Sequence, residues 1–428
     1  MTPATFSRRD WLKLSAAGVL GGSMSGWLPA FAADAAANPQ RRRSCILLWM
    51  NGGPATIDLW DLKPGHANGG PYKEIDTAVA GIKIGEHLPK MAGWMKNLAI
   101  LRGMSTKEGE HVRASYIMRT GNVPQAGIQF PSIGANVAKE LGDVQADLPQ
   151  FVSVNGMRTP ETGYGSGFLG PMYAPLDVIG QGNGEMRVAN LNRPGGVSDA
   201  EFESRLDLLK EFDKSFQATR PGAASAGHLV AYDRATKLMR TTAASALNLN
   251  DEPAALRDSY GRTPFGQGCL LARRLVERGV PFIEVALDNW DTHQDNFGRT
   301  RTLCEQLDSG WATLMQDLKD RGLLATTTII WMGEFGRTPK INEQKGRDHF
   351  ATAWSTVLAG GGINGGQAIG RTSKDGMAVE ERPATVQDLL GTLCLALGID
   401  YMKTNPSNVG RPIRIVDQNA NPVREVLG

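Results

Sequence analysis

The sequence predicts an α/β fold in which helices flank a central, mostly parallel sheet. Short apolar runs alternate with longer amphipathic segments, a rhythm that is typical of parallel strands joined by crossover helices. Glycine is abundant, with 51 residues, and glycines follow the apolar runs where strands end in loops. The chain of 428 residues is long enough for one large α/β domain with insertions or for two domains.

Four apolar runs are predicted to be strands. The segment Ser44–Met50 is almost continuously apolar and precedes Asn51-Gly52-Gly53-Pro54, so it predicts a buried first strand that ends in a loop. Further strands are predicted at Leu98–Leu101, Pro281–Leu287 and Thr326–Met332, with helices at Gln267–Arg278 and Arg301–Arg321. The capping-box pattern of Ser198 and Glu201, followed by helical spacing, predicts a helical insertion over about residues 198–265.

Residues 1–32 have the pattern of a twin-arginine (Tat) signal peptide. Arg8 and Arg9 precede an aromatic residue, a leucine and a lysine, and a weakly apolar run leads to the small-x-small signal Pro29-Ala30-Phe31-Ala32. The apolar run is shorter than the roughly 20 residues that a membrane span needs. We therefore expect recognition by the Tat translocase, no permanent membrane span, a periplasmic or extracellular location, and a mature part that comprises residues 33–428.

The composition of the mature part limits its partners and its bonds. The formal net charge of +2 resides in the signal segment, and no basic stripe occurs elsewhere, so no nucleic-acid partner is expected. The cysteines do not have the paired spacing of a zinc knot. Because a Tat substrate folds in the reducing cytoplasm, we expect buried thiols without disulfides at Cys45, Cys269, Cys304 and Cys394.

Residues with metal-binding or catalytic side chains follow each predicted strand. In open α/β sheets ligands bind beyond the carboxyl ends of the strands, and mixed carboxylate and imidazole ligands suit zinc, manganese or a similar divalent ion. The residues of interest are Asp58 after the first strand, Thr106, His111 and Arg113 after the second, Asp291 and His293 after the third, and Glu334, Arg337 and His349 after the fourth.

Each of these residues, taken alone, also has a structural interpretation. Asp58 could be a helix N-cap, His293 could bond a carbonyl within a turn, and Glu334 could pair with Arg337. Three histidines, however, fall near strand ends beside acidic residues, and this coincidence favours one shared site.

Five motifs occur in order along the mature chain: Gly-Gly-Pro-x-x-x-Asp, His-x-Arg-Ala, Trp-Asp-Thr-His, Gly-Glu-Phe-Gly-Arg-Thr-Pro and Gly-Arg-Asp-His. This order resembles that of a Tat-exported bacterial family of unknown function within the alkaline phosphatase and sulfatase superfamily. The resemblance implies an alkaline-phosphatase-like central sheet with one or two divalent metals at the strand ends.

The resemblance also implies roles for single residues. It assigns metal binding (zinc, manganese, magnesium or calcium) to Asp58, Asp291, His293, Glu334 and His349. Phe335 replaces a histidine of active members, and the nucleophilic Cys or Ser expected ahead of Arg-Ala has no counterpart at Gly109-Glu110-His111. The candidate catalytic residues are therefore His111 and Thr106 as nucleophiles, and Arg113 and Arg337 as stabilisers of developing negative charge.

Two functions follow from these residues. The first is an exported, metal-dependent hydrolase that acts on phosphate or sulfate esters of a small molecule or glycan, through activated water or through a covalent intermediate. The alternative is a catalytically degenerate sulfatase-like fold that acts as a periplasmic binding or envelope-associated protein. A resemblance in fold does not choose between these two functions.

Overall fold

The computed structural model describes residues 43–428 except for residues 144, 157–158, 183, 190, 192–194, 220–222 and 241. The predicted signal peptide lies outside the described residues. No helix in the described part of the chain is both long enough and apolar enough to cross a membrane.

Short strands make up much of the described structure. They are β1 (Ser44–Met50), β2 (Glu74–Asp76), β3 (Lys83–Gly85), β4 (Leu98–Met104), β5 (Phe151–Val154), β6 (Leu176–Gly180), β7 (Met186–Val188), β8 (Phe282–Leu287), β9 (Thr327–Met332), β10 (Gly336–Arg337), β11 (His349–Phe350), β12 (Trp354–Gly360), β13 (Gln367–Ile369), β14 (Arg371–Thr372), β15 (Val379–Glu381), β16 (Thr404–Pro406) and β17 (Pro412–Arg414).

A nine-stranded sheet in the order β13-β4-β12-β9-β1-β8-β5-β6-β7 forms the centre of the fold. β1 is parallel to its neighbours β8 and β9, and β5 is parallel to β8 and β6. β12 and β7 run antiparallel to their neighbours. The predicted α/β fold with a mostly parallel sheet is confirmed.

The four predicted strands are confirmed as β1, β4, β8 and β9. β1 has the predicted bounds and is buried along its whole length, as expected for a central strand covered on both faces. β4 continues past its predicted end through Arg102, whose Nε donates to the Trp60 carbonyl at 2.9 Å. The sequence did not predict this continuation, because the polar Arg102 interrupts the apolar run.

The described helices cover both faces of the sheet. They are α1 (Pro89–Gly93), α2 (His111–Thr120), α3 (Ile133–Leu141), α4 (Asp199–Thr219), α5 (Ala223–Arg240), α6 (Ala254–Tyr260), α7 (Pro264–Glu277), α8 (Asn296–Asp320) and α9 (Val386–Ala396). The predicted amphipathic helices correspond to α7 and α8, which pack on one face, whereas α2, α3 and α9 pack on the other. Helices α4, α5 and α6 occupy the region predicted as a helical insertion.

Alternate residues of β1 belong to the two cores on opposite faces of the sheet, as the two-residue period of a strand requires. All four cysteines are free and buried, as predicted. Burial raises the pKa of each of these thiols, so they are inert core residues.

The strand directions bring the candidate residues to one edge of the sheet. β4, β9, β1 and β8 point the same way, because β12 is antiparallel to both β4 and β9. Their carboxyl ends therefore share an edge, and the antiparallel strand β12 begins at that edge. The loops after these four strands and the segment before β12 meet there, as expected for a ligand site on an open α/β sheet.

Candidate metal centre

His111 is the first residue of α2, and the N-cap of this helix determines its position. The Glu110 carboxylate accepts hydrogen bonds from the backbone N–H groups of Val112 and Arg113, each at 2.9 Å. Such a cap satisfies helix N–H groups that would otherwise lack partners. The start of α2 is thereby ordered next to the ends of β8 and β9, where the imidazole of His111 contacts Asp291 and Glu334.

A buried arginine holds Asp291 in place after β8. The guanidinium of Arg337 is fully buried, and it donates to Asp291 Oδ1, to the carbonyl of Gly52, and through Nε to the carbonyl of Gly53 at 2.9 Å. Burial alone would raise the pKa of Asp291, but the hydrogen bond and charge of Arg337 outweigh this effect and hold that pKa below its usual range. Asp291 is therefore an ionised ligand candidate near neutral pH.

Three histidines share one hydrogen-bonding arrangement, in which Nδ1 lies 2.7 Å from an oxygen acceptor. The pairs are His111 with Glu334 Oε1, His293 with Asp348 Oδ1, and His349 with the Gly109 carbonyl. Because these oxygens accept, each Nδ1 carries the proton and donates it. In the neutral imidazole, Nε2 is then left with a free lone pair.

The three Nε2 atoms converge on the carboxylate of Asp291. Nε2 of His111 lies 3.5 Å from Oδ2, while Nε2 of His293 and of His349 lie 3.2 Å and 3.5 Å from Oδ1. One ligand atom each of His111, Asp291 and His349 lies within 4.8 Å of the other two. Ligands of a tetrahedral zinc ion with Zn–N distances of about 2.0–2.1 Å are about 3.3 Å apart, so these separations suit a small divalent cation.

His293 and His349 approach each other closely, with a distance of 2.9 Å between their Nε2 atoms. Two lone pairs at this distance repel unless a proton or a cation lies between them. Burial lowers the pKa of His349, and the positive charge of Arg337 lowers it further, while the hydrogen bond to the Gly109 carbonyl only partly opposes these effects. A second proton on this imidazole is therefore disfavoured. The pair therefore favours a shared cation.

Two buried polar atoms at this site lack hydrogen-bond partners among the described residues: Nε2 of His111 and Oε2 of Glu334. Burial lowers the pKa of His111, but the bond to Glu334 and the nearby Asp291 outweigh burial and raise it. A cation at Nε2 of His111 thus competes with a proton for the same lone pair. Buried atoms of this kind are costly unless a ligand satisfies them, so the residues fit a divalent metal.

Phe335 forms an apolar wall of the cluster. It is fully buried, and its ring centroid lies 4.9 Å from that of His111 and 4.7 Å from that of His349. A phenyl ring provides no ligand atom. Phe335 therefore packs against the two imidazoles and limits their movement, but it does not bind metal.

Asp58 is held in a buried ion pair. Arg347 donates to Asp58 Oδ1 through Nη2 at 2.7 Å and to Oδ2 through Nε at 2.8 Å, and Asn296 adds a bond to Oδ2 at 2.8 Å. Burial raises the pKa of Asp58, and the charge of Arg347 only partly opposes this. Both carboxylate oxygens are thus occupied by donors, and in the described structure no contact joins Asp58 to the three histidines.

Thr106 and Arg113 lie in a groove beside the start of α2. The Thr106 hydroxyl is 3.4 Å from the Ala351 carbonyl, and Arg113 donates through Nε to Glu108 Oε2 at 2.8 Å. Among the described contacts of these two side chains, none is to Asp291 or to the clustered histidines. The structure therefore brings together six of the nine predicted site residues and places Asp58, Thr106 and Arg113 apart from them.

Sequence reasoning assigned no role to Asp348 or to the Gly109 carbonyl, which orient His293 and His349. Asp348 stands inside the Gly-Arg-Asp-His motif, so its position next to His349 was a usable signal. The Gly109 carbonyl left no such signal, because any residue carries a backbone oxygen. His111 was counted among the three histidines that favour a shared site but was assigned the role of a nucleophile, whereas its Nε2 faces Asp291 as a ligand would.

Solved structures similar to this chain include three proteins of low sequence identity. A protein in the alkaline phosphatase superfamily from Vibrio parahaemolyticus has 13% identity and a TM-score of 0.42, covering 89% of this chain and 76% of that chain. The PsFucS1 sulfatase from Pseudoalteromonas sp. has 12% identity and a TM-score of 0.41, covering 89% and 72%. The C-terminal periplasmic domain of EptC from Escherichia coli, in complex with zinc, has 12% identity and a TM-score of 0.40, covering 92% and 93%.

Similarity at this level assigns no activity to the chain. Comparison with curated proteins finds no match. The family DUF1501, described as a protein of unknown function, matches residues 42–427. The match spans almost all of the described chain, and it confirms the uncharacterised family that the motifs indicated. The chain belongs to the DUF1501 family.

Proposed function

We propose that the protein is a metal-dependent hydrolase of phosphate or sulfate esters, exported through the Tat route to the periplasm or beyond. One observation carries the proposal: three imidazoles, each with its Nδ1 proton donated to an oxygen, direct their Nε2 lone pairs at one ionised carboxylate. Mixed imidazole and carboxylate ligands of this kind are typical of zinc and similar divalent ions.

His111, Asp291 and His349 would form the core of the metal site, since their ligand atoms are mutually close. His293 would join them, because its Nε2 lies near both Asp291 and His349. Glu334 and Asp348 would act as orienting residues that fix the imidazole tautomers and raise their basicity. Asp58 is left out of this ligand set, since Arg347 and Asn296 occupy its oxygens.

A divalent ion bound by these residues would polarise an ester oxygen and lower the pKa of a water molecule toward neutrality. Phe335 would keep bulk water from one side of the imidazoles. Arg337 is too deeply buried to touch a substrate, and its role would be to position Asp291 and to offset the negative charges of the site. In the overall reaction, water adds to phosphorus or sulfur, and the alcohol leaves with a proton.

In the described part of the chain, this site offers no hydroxyl or thiol as a covalent nucleophile. Among the described residues, no hydroxyl or thiol contacts the clustered imidazoles, and the Thr106 hydroxyl is directed at a carbonyl. This observation favours direct attack by water over a covalent intermediate on Thr106. It also favours the second candidate function, a catalytically degenerate relative that binds an envelope glycan or an exported protein.

Elemental analysis of the full chain, beside a panel of phosphate monoesters, phosphate diesters and sulfate esters, tests the proposal. His87→Ala is the matched control for removal of a clustered histidine, because His87 lies outside the cluster and contacts Tyr72. Bound metal with turnover supports the hydrolase, and bound metal without turnover supports the binding protein. Protein that never carries metal when grown with zinc or manganese would contradict both the site and the hydrolase.

A further inference from the structure

A groove of about 610 Å³ lies beside the first turn of α2. Its walls come from the loop after β4, from α2, and from the segment that leads into α9. His111 and Arg113 are two positions apart on α2, and at about 100° per residue they point to nearly opposite sides of the helix. The groove is therefore a neighbour of the proposed metal centre, separated from it by the loop and helix start that carry His111.

The groove has an excess of positive charge. Lys107 is exposed and forms no ion pair in the described part of the chain. Arg113 donates to Glu108 through Nε only. Neither of its Nη atoms donates a hydrogen bond to another described residue. Glu108 is the one acidic residue that lines the groove. The negative charge of Glu108 balances the positive charge of Arg113. The charge of Lys107 is not balanced, so the residues that line the groove have a net positive charge.

The walls of the groove are held by hydrogen bonds that do not depend on a ligand. Ser105 N–H donates to the Ala384 carbonyl at 3.0 Å, and Gln387 Nε2 donates to the Gly121 carbonyl at 2.9 Å. Thr385 and Asp388 form a capping box that satisfies the first turn of α9. A preformed groove loses little conformational entropy when it binds a ligand.

The surface between the groove and the metal centre is open at Gly109. A Cβ built on this residue would meet no atom within 4 Å, although its carbonyl accepts the Nδ1 proton of His349. Gly109 therefore places no side chain of its own between Glu108, which lines the groove, and the helix start that carries His111. The groove and the proposed metal centre lie on the two sides of this short segment.

We infer that the groove binds a second anionic group of the substrate, so that the preferred ester carries a further phosphate, sulfate or carboxylate group. The inference rests on the proposed function, since the first anionic group is the ester at the metal centre. Lys107 supplies the uncompensated charge, and the Nη atoms of Arg113 supply a fork that fits a tetrahedral or planar anion.

Alkanediol bisphosphates of increasing chain length, compared with the corresponding monophosphates, test the inference on the zinc-loaded protein by titration calorimetry. We expect one length at which the bisphosphate binds at least about tenfold tighter than the monophosphate, the size of a charged hydrogen-bonding contact. Lys107→Gln and Arg113→Gln should each remove most of this gain. Lys374→Gln, at an exposed lysine outside the groove, should leave it unchanged.

Val123→Glu provides a second, electrostatic test. Val123 is an exposed residue of the groove wall, so the new carboxylate should remove the advantage of the bisphosphate while the monophosphate binds as before. A bisphosphate that gains nothing at any length, or a gain that survives the double change of Lys107 and Arg113, would overturn the inference alone. Failure of the monophosphate to bind would instead overturn the proposed function, and the inference with it.

Discussion

Two polar assemblies lie at the same edge of the sheet, and they differ in the balance of hydrogen-bond donors and acceptors. Around Asp58, Arg347 and Asn296 supply donors to both carboxylate oxygens, and Asp58 and Arg347 are almost fully buried. Around Asp291, three imidazoles offer lone pairs to a carboxylate that already has a net negative charge. The first assembly is complete without a ligand, whereas the second has an excess of acceptors.

This difference shows why residue type alone does not define a metal site. Asp58 and Asp291 both follow buried parallel strands, and both are acidic residues paired with an arginine. Arg347 takes both oxygens of Asp58, but Arg337 bonds only one oxygen of Asp291 and leaves the other facing His111. A carboxylate saturated by donors stabilises the fold, and a carboxylate that meets further acceptors is suited to a cation.

The largest effect is expected for Asp58→Asn, which leaves Arg347 buried without its counter-ion. Breaking a buried ion pair on one side costs about 3–5 kcal/mol, so urea unfolding should show a loss of that order. Metal content should stay at the wild-type level. Glu343→Gln, an exposed acidic residue, serves as the control for loss of a charge. Lower metal content in folded Asp58→Asn protein would show that Asp58 is a ligand, as the sequence resemblance implied.

His349→Ala should have the opposite pattern, with a small loss of stability and a large loss of metal. Removing a direct ligand should weaken metal binding by more than about a hundredfold, the upper range for loss of an orienting partner. Combining it with Asp291→Asn should add little further loss, because the site is already emptied. Metal stoichiometry measured in one buffer for both single variants and the double variant checks this, and additive losses would argue for two separate sites.

The sequence predicted the sheet well, because the strands that position the site are short, apolar and buried on both faces. β1 was predicted with its observed bounds, and the polar residue at each strand end then followed from the general placement of ligands in open α/β folds. Six of the nine predicted site residues contact one another through these strand ends. The motifs also identified the family correctly.

The pairing of acids with their partners was not readable from the sequence. Asp58 and Arg347 are 289 positions apart, and nothing local to either residue reveals the ion pair. Arg347 stands next to Asp348 and His349 in one motif, yet Arg347 belongs to the assembly around Asp58, whereas Asp348 and His349 belong to the assembly around Asp291. The tautomer of each histidine likewise depends on a distant acceptor, such as Glu334 for His111.

Glu334→Gln should weaken metal binding by about 10–100-fold, less than the loss of a ligand. Glu334 is almost fully buried, and its Oε1 accepts from the Gly52 N–H at 2.9 Å as well as from His111. Glutamine keeps an acceptor but loses the charge that makes His111 a stronger base. Metal affinity by competition with a chelator is the measurement, and an affinity equal to that of wild type would exclude an orienting role for Glu334.

Asp348→Asn should have the smallest effect, at most about tenfold, although its bond to histidine has the same length as that of Glu334. The side chain of Asp348 is 55% exposed, so water screens its charge and can replace its hydrogen bond to His293. Asparagine can still accept from Nδ1 of His293, and Asn342 already shares the same oxygen at 3.3 Å. The same chelator competition should therefore rank Asp348→Asn between wild type and Glu334→Gln. If both variants lose affinity equally, the number of orienting bonds, and not their burial, sets the strength of the site.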